Sequence, residues 1–203
     1  MAYKVVTAVD KFNDKTTVEM DKEYKLSNGV LSHSAKIGIR HMSKPGLDAI
    51  FLDYYFEDSR DICDFLYLDG REMIIRINDR ENISLPFIVN GERRISSIKD
   101  YNGQEHEIRT EYNFVEIDKT TLKKICDAKI LEIKVNGDNS VEYSSGVCLG
   151  LIKYCRIFYE GLYHEGLYNI EPQQEKTSSD SIVLVLGILI LVITVIFFLV
   201  IGG

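Results

Sequence analysis

Residues 35–56 read AKIGIRHMSKPGLDAIFLDYYF, and this stretch decides the fold. In Ala35–Met42, Ile37 and Ile39 fall on one side while Lys36, Gly38 and Arg40 fall on the other. A period of two is the mark of a strand with one buried face. Pro45-Gly46 then signals a turn, because proline fixes φ and glycine accepts the left-handed region. Ala49–Phe56 brings Phe51, Tyr54, Tyr55 and Phe56 close together, the aromatic composition of a strand in a sheet core.

Working outward, the same punctuation recurs. Toward the N-terminus, Tyr3–Ala8 and Thr16–Met20 are strand-like and flank the turn-like DKFNDK of residues 10–15, which predicts a hairpin. Ser27-Asn28-Gly29 is a further turn. Toward the C-terminus, strands are expected at Phe65–Leu68, Met73–Ile77, Ile83–Val89 and Glu107–Ile117. Asp69-Gly70, Asn78-Asp79, Asn90-Gly91 and Asn102-Gly103 mark turns between them.

The pattern changes after Ile117. Asp118–Ala128 predicts a short helix capped by Asp118, with Leu122, Ile125 and Cys126 facing inward. Ile130–Val135 alternates as a strand, and Asn136-Gly137 turns it toward Ser140–Tyr143. From Ser145 to Tyr163 a stripe of Val147, Leu151, Tyr154, Phe158 and Leu162 is widened by Cys148, Ile152, Cys155 and Tyr159. Lys153, Arg156 and Glu160 lie opposite. That wide apolar face predicts a long helix that closes the core. The expected fold is α+β: mainly an antiparallel β sandwich or partly closed barrel, with a short helix and a long closing helix.

Ile182–Ile201, IVLVLGILILVITVIFFLVI, has no charge. About 20 such residues span about 30 Å as a helix, the hydrocarbon thickness of a bilayer. The expected organisation is therefore a soluble α+β domain over residues 1–168, a polar tether over 169–181 and one C-terminal transmembrane helix over 182–201. The opening MAYKVVTAVDKF lacks the basic region and apolar run of a secretory signal. A single-pass, tail-anchored membrane protein with its domain facing the cytoplasm is expected. Lys176, on the N-terminal side of the span, agrees with that orientation.

Of the 203 residues, 24 are Lys or Arg and 31 are Asp or Glu, giving a net charge of −7. A nucleic-acid binder would show a basic stripe, and Arg93-Arg94 and Lys123-Lys124 are too short to make one. Cys63, Cys126, Cys148 and Cys155 have no paired metal-ligand spacing and are expected to be buried thiols. No catalytic, cofactor-binding or metal motif is present. His33, His41, His106 and His164 lie in different segments. His106, flanked by Glu105 and Glu107, would be the most enzyme-like, and the plainer reading is an exposed loop histidine. The acidic run from Asp48 to Glu72 includes Asp53, Asp58, Asp61, Asp64 and Asp69. It could hold a divalent cation or meet a basic partner, but it lacks calcium-loop spacing and reads better as the solvated face and turns of two strands.

Two segments, VVTAVDKFNDKTTVEM (5–20) and EYNFVEIDKTTLKKICDAKILEIKV (111–135), carry a resemblance. Asp10, Lys11, Phe12, Thr16 and Thr17 form a DKFxxxTT opening, and Ile117, Leu122, Ile125 and Ile130 a helix-then-strand close. Over residues 1–136 the chain resembles uncharacterised small β-rich bacterial proteins. The resemblance implies a bacterial cytoplasmic domain and carries no activity or functional residue. The expected role is a membrane-tethered cytoplasmic binding or scaffold module, which meets the lipid bilayer through Ile182–Ile201 and a protein partner at the membrane surface. The alternative is an enzyme with an unrecognised site in the β domain.

Overall fold

The computed structural model of the chain describes residues 3–26, 33–58, 64–88, 90–99 and 101–163. All of them belong to a unit spanning Met1–Asn169. Cys63, Asp61, His164, the tether and the apolar run lie outside the described residues. Among the described residues no helix is long and apolar enough to cross a membrane.

The described residues of this unit form eleven strands and two helices: β1 (Val5–Asp10), β2 (Lys15–Met20), β3 (Tyr24–Leu26), β4 (His33–Lys44), β5 (Leu47–Asp58), β6 (Glu72–Ile77), β7 (Glu81–Pro86), β8 (Glu92–Lys99), β9 (Glu105–Ile117), α1 (Lys119–Asp127), β10 (Leu131–Asn136), β11 (Val141–Tyr143) and α2 (Ser145–Tyr163). Seven strands form one antiparallel sheet in the order β1-β2-β4-β5-β9-β8, with β3 also on β4. Four form a second antiparallel sheet in the order β11-β10-β6-β7. The long β4–β5 hairpin is the spine, paired from His33↔Asp58 to Lys44↔Leu47. Gly46 at its turn takes a φ of 79°, the region the Pro45-Gly46 signal anticipates.

One apolar core joins the layers. Ile37, Ile39, Leu52, Tyr54, Val115 and Ile117 of the large sheet share it with Met73, Ile75, Leu131 and Ile133 of the small one. The Tyr54 and Tyr143 hydroxyls meet at 2.7 Å between the sheets. An isolated bridge between Phe87 and Val115 ties the end of β7 to β9. The helix α2 covers the β1–β3 half. Tyr154 packs edge-on to Tyr3 at 5.0 Å between ring centroids, and its hydroxyl donates to the Lys22 carbonyl at 2.9 Å. Each large side chain buried this way contributes about 1.5–3 kcal/mol.

Both expected helices are present. Asp118 caps α1 by accepting the Thr121 N–H, and Leu122, Ile125 and Cys126 are buried. In α2 the buried residues are Cys148, Leu151, Ile152, Tyr154, Cys155 and Phe158.

Several expectations are corrected. The antiparallel α+β class is as expected, but of the two architectures offered the partly closed barrel is not seen: among the described residues the large sheet is open, with β1 and β8 as its edges. Phe65–Leu68 is not a strand; its amides bond to a side chain, as described below. The strand expected over Ile83–Val89 ends at Pro86, which has no N–H to give a ladder. The strands β3 and β8 are additional. β8, ERRISSIK, is exposed at every position, so no buried period marks it.

Candidate functional site

The face of the large sheet turned away from the core carries the most organised polar constellation. On β5 the core side holds Ile50, Leu52, Tyr54 and Phe56, and the other side holds Phe51, Asp53, Tyr55 and Glu57. Register places Arg40 of β4 beside Phe51, Gly38 beside Asp53 and Lys36 beside Tyr55. On the other flank, Phe114 of β9 faces Asp53 and Tyr112 faces Tyr55.

Arg40 is the centre of this face. Its guanidinium carbon lies 5.1 Å from the Phe51 ring centroid and 5.0 Å from that of Phe114. Its Nε donates to both Asp53 carboxylate oxygens, at 3.1 and 3.0 Å. The Tyr112 hydroxyl donates to Asp53 Oδ1 at 2.7 Å and accepts from Arg40 Nη2 at 3.3 Å. Under this cover Phe51 is only 7 % exposed and Asp53 only 6 %. Gly38 lies opposite Asp53, where a Cβ would make ordinary van der Waals contact with the Asp53 side chain, 3.4 Å from its Cβ. Burial raises the Asp53 carboxyl above its ordinary value, against the opposing pull of Arg40 and the Tyr112 hydroxyl. Burial and the nearby Asp53 charge push the Tyr55 phenol up to about 12, and burial and the hydrogen bond to Asp53 raise Tyr112 further.

The fixed Tyr112 hydroxyl sets the ring plane. Tyr55 stacks on it, tilted 32° with centroids 4.7 Å apart. The two rings floor a half-open groove of about 410 Å³, rimmed by Lys36, Glu57, Glu92 and Arg94. Glu92 and Arg94 pair at 2.8 Å. Two phenols and a rim of both charges can stack on and hydrogen-bond to a polar surface. They do not form a nucleophile–base pair.

On the core side of the same strand, Glu111 is 1 % exposed. One of its oxygens accepts the Leu66 and Tyr67 amides at 2.7 and 3.0 Å, and the other accepts the Leu68 amide at 2.9 Å. Arg93 Nε stands 3.7 Å away. Neighbouring Asn113 donates to the Ile88 carbonyl at 3.1 Å. These two buried polar residues fasten the connections on either side of the β6–β7 hairpin to the large sheet.

The residues singled out from sequence are dispersed. His41 Nε2 lies 2.7 Å from Asp48 Oδ1 beside the β4–β5 turn. His106 is not in a loop; it lies in β9 opposite Ile98 and is half-buried. His33 lies in β4. Cys126, Cys148 and Cys155 are buried free thiols. The acidic run is not simply a solvated face. Asp53 and Asp58 are buried. Asp69 accepts the Gly91 amide at 2.7 Å and pairs with Arg93. Among the described residues no three His, Cys, Asp or Glu side chains are grouped to hold a metal ion. Sequence reading missed Arg40, Tyr112 and Glu111. For Glu111 a signal existed: it shares strand parity with Val115 and Ile117 and so had to face inward.

No protein family, curated protein or solved structure matches this chain.

Proposed function

We propose that this chain is a membrane-tethered binding module. It is held on the bilayer through Ile182–Ile201 with its domain on the cytoplasmic side, and it receives a protein partner on the open face of the large sheet. The observation that carries the second part is the Arg40–Asp53–Tyr112 network. A sheet face that served only solubility would carry separate, hydrated charges. Here the Arg40 guanidinium packs over both the Phe51 and Phe114 rings, Asp53 is almost fully buried, and their hydrogen bonds to the Tyr112 hydroxyl hold the Tyr55–Tyr112 pair in place. Rigid tyrosines and arginine at the centre of a patch with a charged rim are the composition of a protein-binding surface. The mixed rim of Lys36, Arg94, Glu57 and Glu92 disfavours a phosphodiester backbone. The apolar run supports the tether, and attachment to a surface raises the effective concentration of the domain for partners there.

The test is site-specific photo-crosslinking in the full chain in membranes. A crosslinker replacing Lys36 should give a discrete protein adduct that weakens about tenfold when Tyr55 and Tyr112 are both changed to serine. A crosslinker replacing Lys134, on the small sheet, should not give it. Equal adducts from both positions, or none from Lys36, would sink the assignment of this face.

A further inference from the structure

β8 is an edge of the large sheet, and it is exposed at every position. Proteins blunt such edges by keeping them short, by a proline or a bulge, by charge, or by covering them. The other edges among the described residues are treated in these ways. β3 and β11 are three residues long, and β7 carries Pro86. Against β1, α2 packs so closely that a Cβ at Gly161 would lie 2.6 Å from a Val5 methyl. β8 has eight residues, no proline, and an unbroken register against β9 from Glu92↔Tyr112 to Lys99↔Glu105. Its arginines are neutralised in place, Arg93 by Asp69 and Arg94 by Glu92 at 2.8 Å. Ile95 is 62 % exposed and Ile98 51 %. A row of backbone donors and acceptors with two β-branched side chains in water is a template for one more strand.

The residues of β8 fit a second copy of β8. Two identical edges related by a two-fold axis pair antiparallel with their sheet faces aligned, so opposite residues share parity. Glu92, Arg94, Ser96 and Ile98 share the groove face with Tyr112, while Arg93, Ile95, Ser97 and Lys99 share the other with Glu111. The registers that keep most of the strand paired are centred on Arg94, Ile95 or Ser96. Centred on Arg94, the two Arg94 side chains oppose one another. Centred on Ser96, Arg93 opposes Lys99 of the second copy. Like charges directly opposite are destabilising. Centred on Ile95, no like charges stand opposite: Ile95 packs on Ile95, Arg94 faces Ser96, Arg93 faces Ser97, and Glu92 lies along Ile98.

We propose that this chain forms a two-fold dimer through β8, joining two large sheets edge to edge in the register centred on Ile95. Glu92 and Arg94 rim the Tyr55–Tyr112 groove on its β8 side. In the dimer, Ile98 and Ser96 of the second copy stand beside them and carry the rim of the groove onto the second subunit. The pairing needs neither the tether nor a partner in the groove.

The test uses the full chain, solubilised in detergent, with Cys63 changed to serine; Cys126, Cys148 and Cys155 are buried. Directly opposite strand residues have Cα atoms about 4.5–5.5 Å apart, within disulfide reach. Residue 98 pairs with residue 92 of the other copy, so the two residues 98 are separated by about 20 Å of strand. Under mild oxidation with copper phenanthroline, Ile95→Cys should form a disulfide-linked dimer at least about tenfold faster than Ile98→Cys. Ile95→Lys sets two lysines face to face. It should raise the dimer dissociation constant, read by light scattering, at least about tenfold while leaving the circular dichroism unchanged. Equal crosslinking from the two cysteine variants, none from Ile95→Cys, or an association that Ile95→Lys leaves unchanged overturns the pairing.

Discussion

The Glu111 carboxylate accepts the Leu66 amide at 2.7 Å across 45 residues of chain. The same carboxylate takes the Tyr67 and Leu68 amides, so three consecutive N–H groups find their acceptor in one buried side chain rather than in a neighbouring strand. Charge-assisted bonds of this kind are strong, and a buried donor left without one is costly. Glu111→Gln puts an NH₂ group against N–H donors and should lower stability by about 3 kcal/mol in urea unfolding. Amide exchange at Leu66 and Leu68 should accelerate more than in β10. A loss below about 1 kcal/mol would mean that these amides find other acceptors.

Leu66 is gripped from the small sheet as well. Its carbonyl accepts the Asp138 amide at 2.8 Å, and a Cβ on Gly137 would come within 2.1 Å of that carbonyl oxygen. The obstacle is backbone held at both its N–H and its C=O, so it cannot yield. Gly137→Ala should therefore cost about 3 kcal/mol, by the overpacking mechanism. Gly46→Ala, with open space around it and only its φ of 79° against it, should cost about 1 kcal/mol. Thermal midpoints of the two variants check the ranking; equal losses would refute it.

Arg40 and Asp53 form a partly desolvated pair, so removing one partner leaves the other stranded. Arg40→Met should lose about 3 kcal/mol and weaken the near-ultraviolet circular dichroism of the Tyr55–Tyr112 pair. Adding Asp53→Asn to it should restore about half of the loss, because no charge is then left buried without a partner. A double variant no more stable than the single one would show that the charge of Asp53 was not the source of the penalty.

These three sites also show what the sequence could and could not reveal. Alternation in Ala35–Met42 announced β4, and the Asp118 cap and inward Leu122, Ile125 and Cys126 announced α1, because their signals are local. The Phe65–Leu68 segment looks like a strand for the same local reason: it is apolar. Only the distant Glu111 decides otherwise. The open face was illegible because Arg40, Asp53 and Tyr112 come from three strands, and each alone looks like an ordinary outward residue. β8 has neither buried face nor cap, and its place follows from β9 alone.

Burial pushes the Cys126 thiol up to about 11 and the Cys148 thiol up to about 12, and holds Cys155 well above its ordinary value. Unfolded thiols release their protons near 9.0, while the folded ones keep theirs. Above pH 9 the unfolded state thus binds fewer protons, and stability falls as pH rises. The stabilising contribution is fully present below pH 9 and is lost between about 9 and 12. Tyr55, raised to about 12, acts in the same direction. Urea midpoints should be flat near neutrality and decline above pH 9, less steeply in Cys148→Ala. With Cys63 changed to serine, the native protein should not react with a thiol reagent at pH 8. Fast labelling of Cys126 or Cys148 would contradict their burial.

The core closes within the described residues, and its last buried contributor is Phe158 of α2. A chain ending at residue 168 keeps Tyr154, Cys155 and Phe158; one ending at Lys153 loses all three. At about 1.5–3 kcal/mol for each large buried side chain, that loss rivals the whole stability of a small domain, about 5–15 kcal/mol. The 1–168 form should therefore stay soluble, unfold cooperatively and no longer fractionate with membranes, whereas the 1–153 form should not fold. Sedimentation of cell lysates and thermal unfolding of the purified fragments separate the outcomes. Aggregation of the 1–168 form would mean that the apolar run supports folding of the domain, and the proposed division into domain, tether and anchor would have to be redrawn.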